Sequence, residues 1–248
     1  MNTMNCMKKK RIVVLSGAGI SVESGIAPFR GTGGLWNNEN LVRLATIDAW
    51  QERPAEVLEF YNQRRTYLAD VKPNSAHKLL AEMEKDFDVV ILTQNVDDLH
   101  ERAGSSNIIH LHGELTKVRP EDCYNYEDGF SEVDVVDIGY SEIHLGDIGG
   151  KNHKQLRPHI VFFGEPVPKI ADAQCEIARA DIFLIIGTSL QVYPAAGLLE
   201  NAPSDCEIFV IDPKTPEIFF PGDINFIHQT ATVGMETFAH DVGFLSAK

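Results

Sequence analysis

Arg11-Ile-Val-Val-Leu-Ser16 runs straight into Gly17-Ala-Gly-Ile-Ser-Val-Glu-Ser-Gly25. The first half is a continuous β-branched and aliphatic run without polar alternation, which suits a strand covered on both faces. The glycine-rich half suits a turn from that strand into a helix, where backbone N–H groups can approach a diphosphate. Four more runs share the character of the first: Val89 to Thr93, Asn107 to His110, Asp181 to Ile186 and Glu207 to Asp212. Segments of helical spacing lie between them, from Ser75 to Lys85, Lys169 to Arg179 and Pro194 to Asn201. This alternation predicts an α/β, doubly wound, Rossmann-like parallel sheet covered by helices.

Residues 37–73 and 117–156 break the rhythm. The first stretch is helical and amphipathic, clearest from Ala55 to Leu68, and the second is rich in Gly, Asp and Glu with weak alternation. Both are expected to be insertions that form a smaller second lobe. Residues 1–36, 74–116 and 157–248 then make the nucleotide-binding domain, with a cleft between the two.

The chain has 248 residues, 44% of them hydrophobic, enough to bury a sizeable core. A net charge of −14 argues against nucleic acid, whose phosphates need clustered Lys and Arg. Basic protein segments are better matched partners, although acidity also serves solubility alone. Cys6, Cys123, Cys175 and Cys206 lie far apart without a CxxC pair, which gives neither a disulfide framework nor a zinc ribbon and fits a reducing compartment. The basic cluster Lys8 to Arg11 precedes too short an apolar run for a secretory signal, and no run approaches the ~20 residues that span a bilayer. A cytoplasmic monomer without membrane attachment is expected.

The pattern GxGxxG would place glycine at position 22, where Val22 stands, so a tight turn without a ligand stays open. Downstream, Ile26 to Trp36 is a Gly-rich loop carrying Phe29 and Arg30, suited to closing over a cofactor. Gln94, Asn95 and Asp97 fall at a strand's carboxyl end, where open α/β sheets bind ligands. Asn95 or Asp97 alone would equally suit a helix N-cap. His110-Leu-His-Gly113 offers two alternating histidines, of which at most one faces the cleft. Gly113 permits a close backbone approach beside His112, which favours His112 as general base. Thr188 and Ser189, after another buried strand, can hydrogen-bond phosphate or ribose.

In order, GAGISVESGIAPFR, TQNVDDLHERAG, HLHGEL, RPHIVFFGE and GTSLQVYPAAG resemble the sirtuin family of NAD-dependent protein-lysine deacylases, from about Ile12 to Ala231. The resemblance implies that an acyl-lysine oxygen attacks the ribose carbon bearing nicotinamide, and that His112 activates a ribose hydroxyl for the following step. It places Asn95 and Asp97 in the ribose and nicotinamide pocket, Asn95 with a catalytic role. It sets Gly17, Ala18, Gly19, Phe29, Arg30 and Gln94 around NAD, and Gly187, Thr188 and Ser189 at its phosphate and ribose. Asp212, where the family usually has asparagine, falls at a ribose, and Ala231 on the adenine side. Gly164 and Glu165, with Leu190 to Val192, resemble the two strips between which an acyl-lysine peptide lies as an added strand.

Phe60-Tyr-Asn-Gln-Arg64 resembles the Tyr-x-x-Arg pair of sirtuins that remove succinyl, malonyl or glutaryl groups, and Ala45 the small residue that widens their pocket. At i and i+3, Tyr61 and Arg64 share a helix face, so phenol and guanidinium can bind one carboxylate together. The departure concerns metal. Most sirtuins carry two CxxC pairs, whereas residues 117–156 hold only Cys123, with His144 and His153 at irregular spacing, so zinc is not expected. A mono-ADP-ribosyltransferase or NADase, a hydride-transferring dehydrogenase and a non-catalytic NAD sensor remain alternatives; the pairing of Asn95 with His112 argues against the last.

Overall fold

The computed structural model describes residues 9–28, 42–122, 134–216 and 223–246, with the backbone of 124–125 and 129–130. In chain order the strands are β1 Arg11–Ser16, β2 Asp88–Thr93, β3 Ile108–His110, β4 Gly113–Pro120, β5 Tyr124–Asn125 and β6 Gly129–Phe130. They continue as β7 Val136–Asp137, β8 Ile148–Gly149, β9 Lys154–Ile160, β10 Ile182–Ile186, β11 Glu207–Ile211 and β12 Ile224–Ile227. Six of them form one sheet in the order β12-β11-β10-β1-β2-β3, every pair parallel.

Successive side chains of β1 leave the sheet on opposite sides. Ile12 and Val14 meet Leu80 and Met83 of the helix Ser75–Met83, and Met235 and Phe238 of the helix Ala231–Asp241. Val13 and Leu15 meet Ala173 and Ile177 of the helix Ile170–Ile177, and Leu198 and Leu199 of the 3-10 helix Ala195–Asn201. Helices thus cover both faces, which is why these strands carry no polar alternation. Each large apolar side chain buried this way contributes about 1.5–3 kcal/mol before the entropy of ordering it is set against it.

A smaller antiparallel sheet, ordered β7-β4-β9-β8, stands apart from the first. It starts at Gly113 and ends at Ile160, a few residues beyond the 117–156 expected from composition. The helix Pro54–Leu68 packs on it through Leu58, Tyr61, Leu115, Val118 and Phe162. That helix also buries polar groups. Arg65, 0% exposed, donates from Nε to Leu115 O at 2.6 Å and from Nη1 to Asn62 Oδ1 at 2.8 Å. Asn62 Nδ2 in turn donates to Ile143 O at 2.8 Å, so the helix is tied to the strands by hydrogen bonds as well as by packing.

The edge strand β12 has no counterpart among the expected strands: with only Ile227 of its residues fully buried, it forms no unbroken apolar run. Among the described residues no helix is long and apolar enough to cross a membrane.

Candidate active site

A cleft of about 1370 Å³ opens where the carboxyl ends of β1, β2, β10 and β11 face the smaller sheet and its helix. Its floor is a contact between two turns. Gly19 N donates to Gly187 O at 2.8 Å, and a Cβ on Gly19 would stand 2.5 Å from Gly187 Cα. Gly187 has φ +62°, and a Cβ there would lie 2.4 Å from Ile20 N. The glycines therefore allow the backbones to cross, and the segment Ala18–Ser24 leaves the turn as a 3-10 helix.

Ser21, a residue not among those expected at the site, is the hub of the polar wall. Its hydroxyl donates to Asp97 Oδ2 at 3.0 Å and accepts from Asn95 Nδ2 at 3.2 Å, and the same amide donates to Gly17 O at 3.2 Å. Asp97 Oδ1 also accepts from Leu99 N at 3.2 Å, so Asp97 both fixes the turn that leads into the helix Leu99–Ala103 and lines the cleft. Burial pushes its carboxyl up to about 6, against the lowering effect of these bonds. Ser21 is the first polar residue of the glycine turn, after Gly17-Ala-Gly-Ile20. Gln94 Nε2 donates to Thr188 Oγ1 at 3.0 Å, clasping the ends of β2 and β10 together.

His112 sits in the tight reversal between β3 and β4, not within a strand. Gly113, at φ +82°, makes the reversal possible, because a Cβ there would stand 2.1 Å from His159 O. His112 Nδ1–H donates to Gln94 O at 3.0 Å. The carbonyl can only accept, so in the neutral ring Nε2 keeps its lone pair. Burial lowers the pKa of this imidazole, with the backbone bond opposing, which favours the neutral form. His110 turns the other way, to Glu101 Oε1 at 2.7 Å.

At the end lined by Ala45, the Tyr61 ring stacks on Phe162 at 5.6 Å and meets Phe60 edge-on at 4.9 Å. Burial raises the Tyr61 phenol pKa, so the hydroxyl stays protonated. Arg64 Nη1 donates to Phe60 O at 3.0 Å, and its guanidinium lies 3.4 Å above the Phe60 ring. Burial lowers its pKa to about 10, still charged at neutral pH, and no described carboxylate forms an ion pair with it.

The Sir2 family profile matches residues 17–194. This chain belongs to the Sir2 family. The NAD-dependent protein deacylase of Bacteroides thetaiotaomicron is 50% identical over 228 residues, which make up 92% of this chain and 95% of that protein. The NAD-dependent protein deacylase of Helicobacter pylori is 48% identical over 227 residues, covering 92% and 95%. Among solved structures, a mutant Sir2 homologue in complex with ADP-ribose is 34% identical, with a TM-score of 0.82 and coverage of 97% and 96%. A Sir2 homologue–NAD complex is 36% identical, with a TM-score of 0.79 and coverage of 94% and 90%.

Within this Sir2 fold the cleft brings together Gly17, Ala18, Gly19, Gln94, Asn95, Asp97, His112, Gly187, Thr188 and Ser189, with Asp212 and Ala231 at one end. Gly164 and Val192 border it too. Two residues expected in the strips that flank the substrate backbone turn their side chains into the interior. Leu190 is 2% exposed in the core under the sheet, leaving Gln191 to Tyr193 on the cleft side. The Glu165 carboxylate, 2% exposed, turns inward to accept from Arg157 Nη1 at 2.7 Å and Phe162 N at 2.7 Å, so only the rest of the residue borders the cleft. Glu23, a cleft residue absent from the motif reading, accepts from Thr232 N at 2.9 Å and Thr230 Oγ1 at 3.1 Å, fastening the glycine turn to the helix that begins at Ala231. Burial works to raise its pKa, but these bonds bring it below the usual carboxylate value. Phe29, Arg30 and Cys123 lie outside the described residues. His144 is exposed, 3.5 Å from Glu142.

Proposed function

We propose that this Sir2 protein removes acyl groups from protein lysines while consuming NAD, releasing nicotinamide and O-acyl-ADP-ribose, and that its acyl pocket takes succinyl and malonyl as well as acetyl. The observation that carries the reading is the His112 ring, with Nδ1 committed to Gln94 O, lining the same cleft as Asn95, Ser21 and Asp97. The residues present fit NAD. The cleft exceeds the ~300–1,000 Å³ of an ordinary small-molecule site, as a dinucleotide meeting an acyl-lysine requires. Its lining supplies amides and hydroxyls suited to ribose, phosphate and carboxamide: Gln94, Asn95, Thr188 and Ser189.

When bound, NAD supplies a ribose carbon that becomes electrophilic as its bond to nicotinamide weakens. His112 Nε2 takes the proton of a ribose hydroxyl, and Gln94 O holds the ring in the tautomer that makes this possible. Asn95 and Asp97, tied together through Ser21, orient the ribose and nicotinamide side. Gly164 and Val192 flank the peptide, Asp212 and Ala231 the adenosine end. Tyr61 and Arg64 receive the distal carboxylate of an acidic acyl chain, the guanidinium being held over Phe60 without a carboxylate of its own among the described residues. Residues 37–73 and 117–156 act as the lobe that covers the nucleotide domain. The widely separated cysteines support a reducing, cytoplasmic setting and a lobe built without structural zinc.

The test is to incubate the protein and NAD with matched acetyl-lysine and succinyl-lysine peptides and to follow products by mass spectrometry. Both are turned over, and His112→Tyr abolishes both. A charge-assisted hydrogen bond is worth about 1.5–3 kcal/mol, so Arg64→Met lowers desuccinylation about 10- to 150-fold relative to deacetylation. An unchanged ratio removes the acidic-acyl assignment. NAD left intact, or hydrolysed without peptide, removes the deacylase reading.

A further inference from the structure

His110 has no part in the chemistry just described, yet its ring is nearly buried, with 9% of the side chain exposed. Nδ1 lies 3.2 Å from Asn95 O and Nε2 lies 2.7 Å from Glu101 Oε1. Carbonyl and ionised carboxylate oxygens only accept, so satisfying both requires an N–H at each nitrogen, and only the imidazolium has two. A neutral ring would set a lone pair against one of those oxygens.

The neighbours fit a cation. Glu101 reaches it from the helix Leu99–Ala103, and Glu114 and Lys117 of β4, paired with each other at 2.7 Å, face the same space. His159, Lys169 and Asp172 close that side in a second, smaller cavity of about 440 Å³. Burial pushes the His110 pKa down, but the bond to Glu101 and the charges of Glu101 and Glu114 outweigh it and leave the pKa raised. Glu101, His110 and Glu114 lie within 4.8 Å of one another, close enough for a divalent cation. Both ring nitrogens already face acceptors, however, and Glu114 holds Lys117, so the charge is balanced without one.

The two histidines of His110-Leu-His112 thus grip successive carbonyls, His112 that of Gln94 and His110 that of Asn95. We propose that His110, as an imidazolium clamped between Glu101 and the Asn95 carbonyl, is a positioning residue that holds Asn95 at the catalytic cleft and releases it on deprotonation. The inference rests on the deacylase reading, in which Asn95 and His112 serve the reaction. It gives the two histidines on either side of Leu111 opposite pH dependences. Activity rises as His112 loses its proton below the ordinary histidine value, and falls as His110 loses its proton above that value.

The experiment measures kcat/KM for NAD with an acetyl-lysine peptide across pH, together with an NMR titration of the histidine rings in the full chain. The wild type shows a bell. Glu101→Gln moves the alkaline limb about one to two pH units lower and leaves the acid limb in place. His110→Gln keeps an amide donor but cannot titrate, so it lowers kcat/KM about 10- to 100-fold at neutral pH and removes the alkaline limb, with thermal melting confirming the fold. An alkaline limb unchanged in His110→Gln overturns the proposal, as does a His110 resonance that titrates below the ordinary histidine range. The NMR titration needs no turnover. A wild type that leaves NAD intact therefore defeats the deacylase reading, and the positioning role with it, in a way that remains distinguishable from an absent imidazolium.

Discussion

Glu165 and Arg64 show how a single charged residue takes its role from its partners. Arg157 and Arg64 both lie over aromatic rings, at 4.0 Å from Phe162 and 3.4 Å from Phe60. Arg157 is neutralised by Glu165, whose carboxylate also lies 3.7 Å from Arg119, whereas Arg64 has a backbone carbonyl and no described carboxylate. The first group is architecture and the second is available to a ligand. Removing Glu165 strands a buried guanidinium, a change that costs about 3–5 kcal/mol. Glu165→Ala is accordingly expected to lower Tm by about 10 °C in a chain of this size, read by thermal melting. A fall of only a degree or two would show that the arginines find other partners.

Among elements, the crossing of the glycine turns carries most of the site. At Gly187 an added Cβ meets the backbone of Gly19 and Ile20, which cannot step aside, while at Gly139, also left-handed at φ +57°, it meets nothing within 4 Å. Gly139→Ala should cost only the left-handed strain of about 1–2 kcal/mol. Gly187→Ala should destabilise more and also weaken NAD binding, seen as a smaller rise of Tm on adding NAD. Equal effects of the two substitutions on that rise would separate the glycine crossing from cofactor binding. Legibility followed apolar continuity: β3 could be read although it is only partly buried. The doubly covered strands β1, β2, β10 and β11 could be read as apolar runs, whereas β9 and β12 are exposed along part of their length and left no such run. The buried positions of the helix Pro54–Leu68 keep the helical period, but Asn62 and Arg65 are among them, so its apolar stripe is weaker than the amphipathic pattern expected of it.

Over the whole molecule, acid stability depends on a buried pair. His77 and His100 meet ring to ring at 4.9 Å, 0% and 1% exposed. Burial lowers His77 to about 4, and burial with the neighbouring histidines sets His100 well below its ordinary value. A lowered folded pKa means that the unfolded chain binds the proton more readily. The stability is therefore present above pH 6.5 and lost as pH falls toward 4, at about 1.4 kcal/mol per unit for His77. Asp97, raised to about 6, has the opposite sign: its contribution is complete below 3.8 and lost as pH rises through 6. Two histidines outweigh one carboxylate over this interval. Urea midpoints should fall between pH 6.5 and 4.5, and His77→Gln should flatten the decline; an equal decline in that variant would assign it to other groups.

Local sequence carried burial period, turn chemistry and the order of polar clusters along the chain. From these the doubly wound sheet, the glycine turn and the clustering of Gln94, Asn95 and Asp97 at a strand end could be read without coordinates. Only the tertiary structure decided that Ser21 joins Asn95 to Asp97, that Glu165 and Leu190 turn inward, and that His112 faces the cleft while His110 faces Glu101. The reason is range. A hydrogen-bond partner that arrives from 76 residues away leaves no mark on the periodicity of either segment, so the chemistry of a side chain is legible where its direction is not.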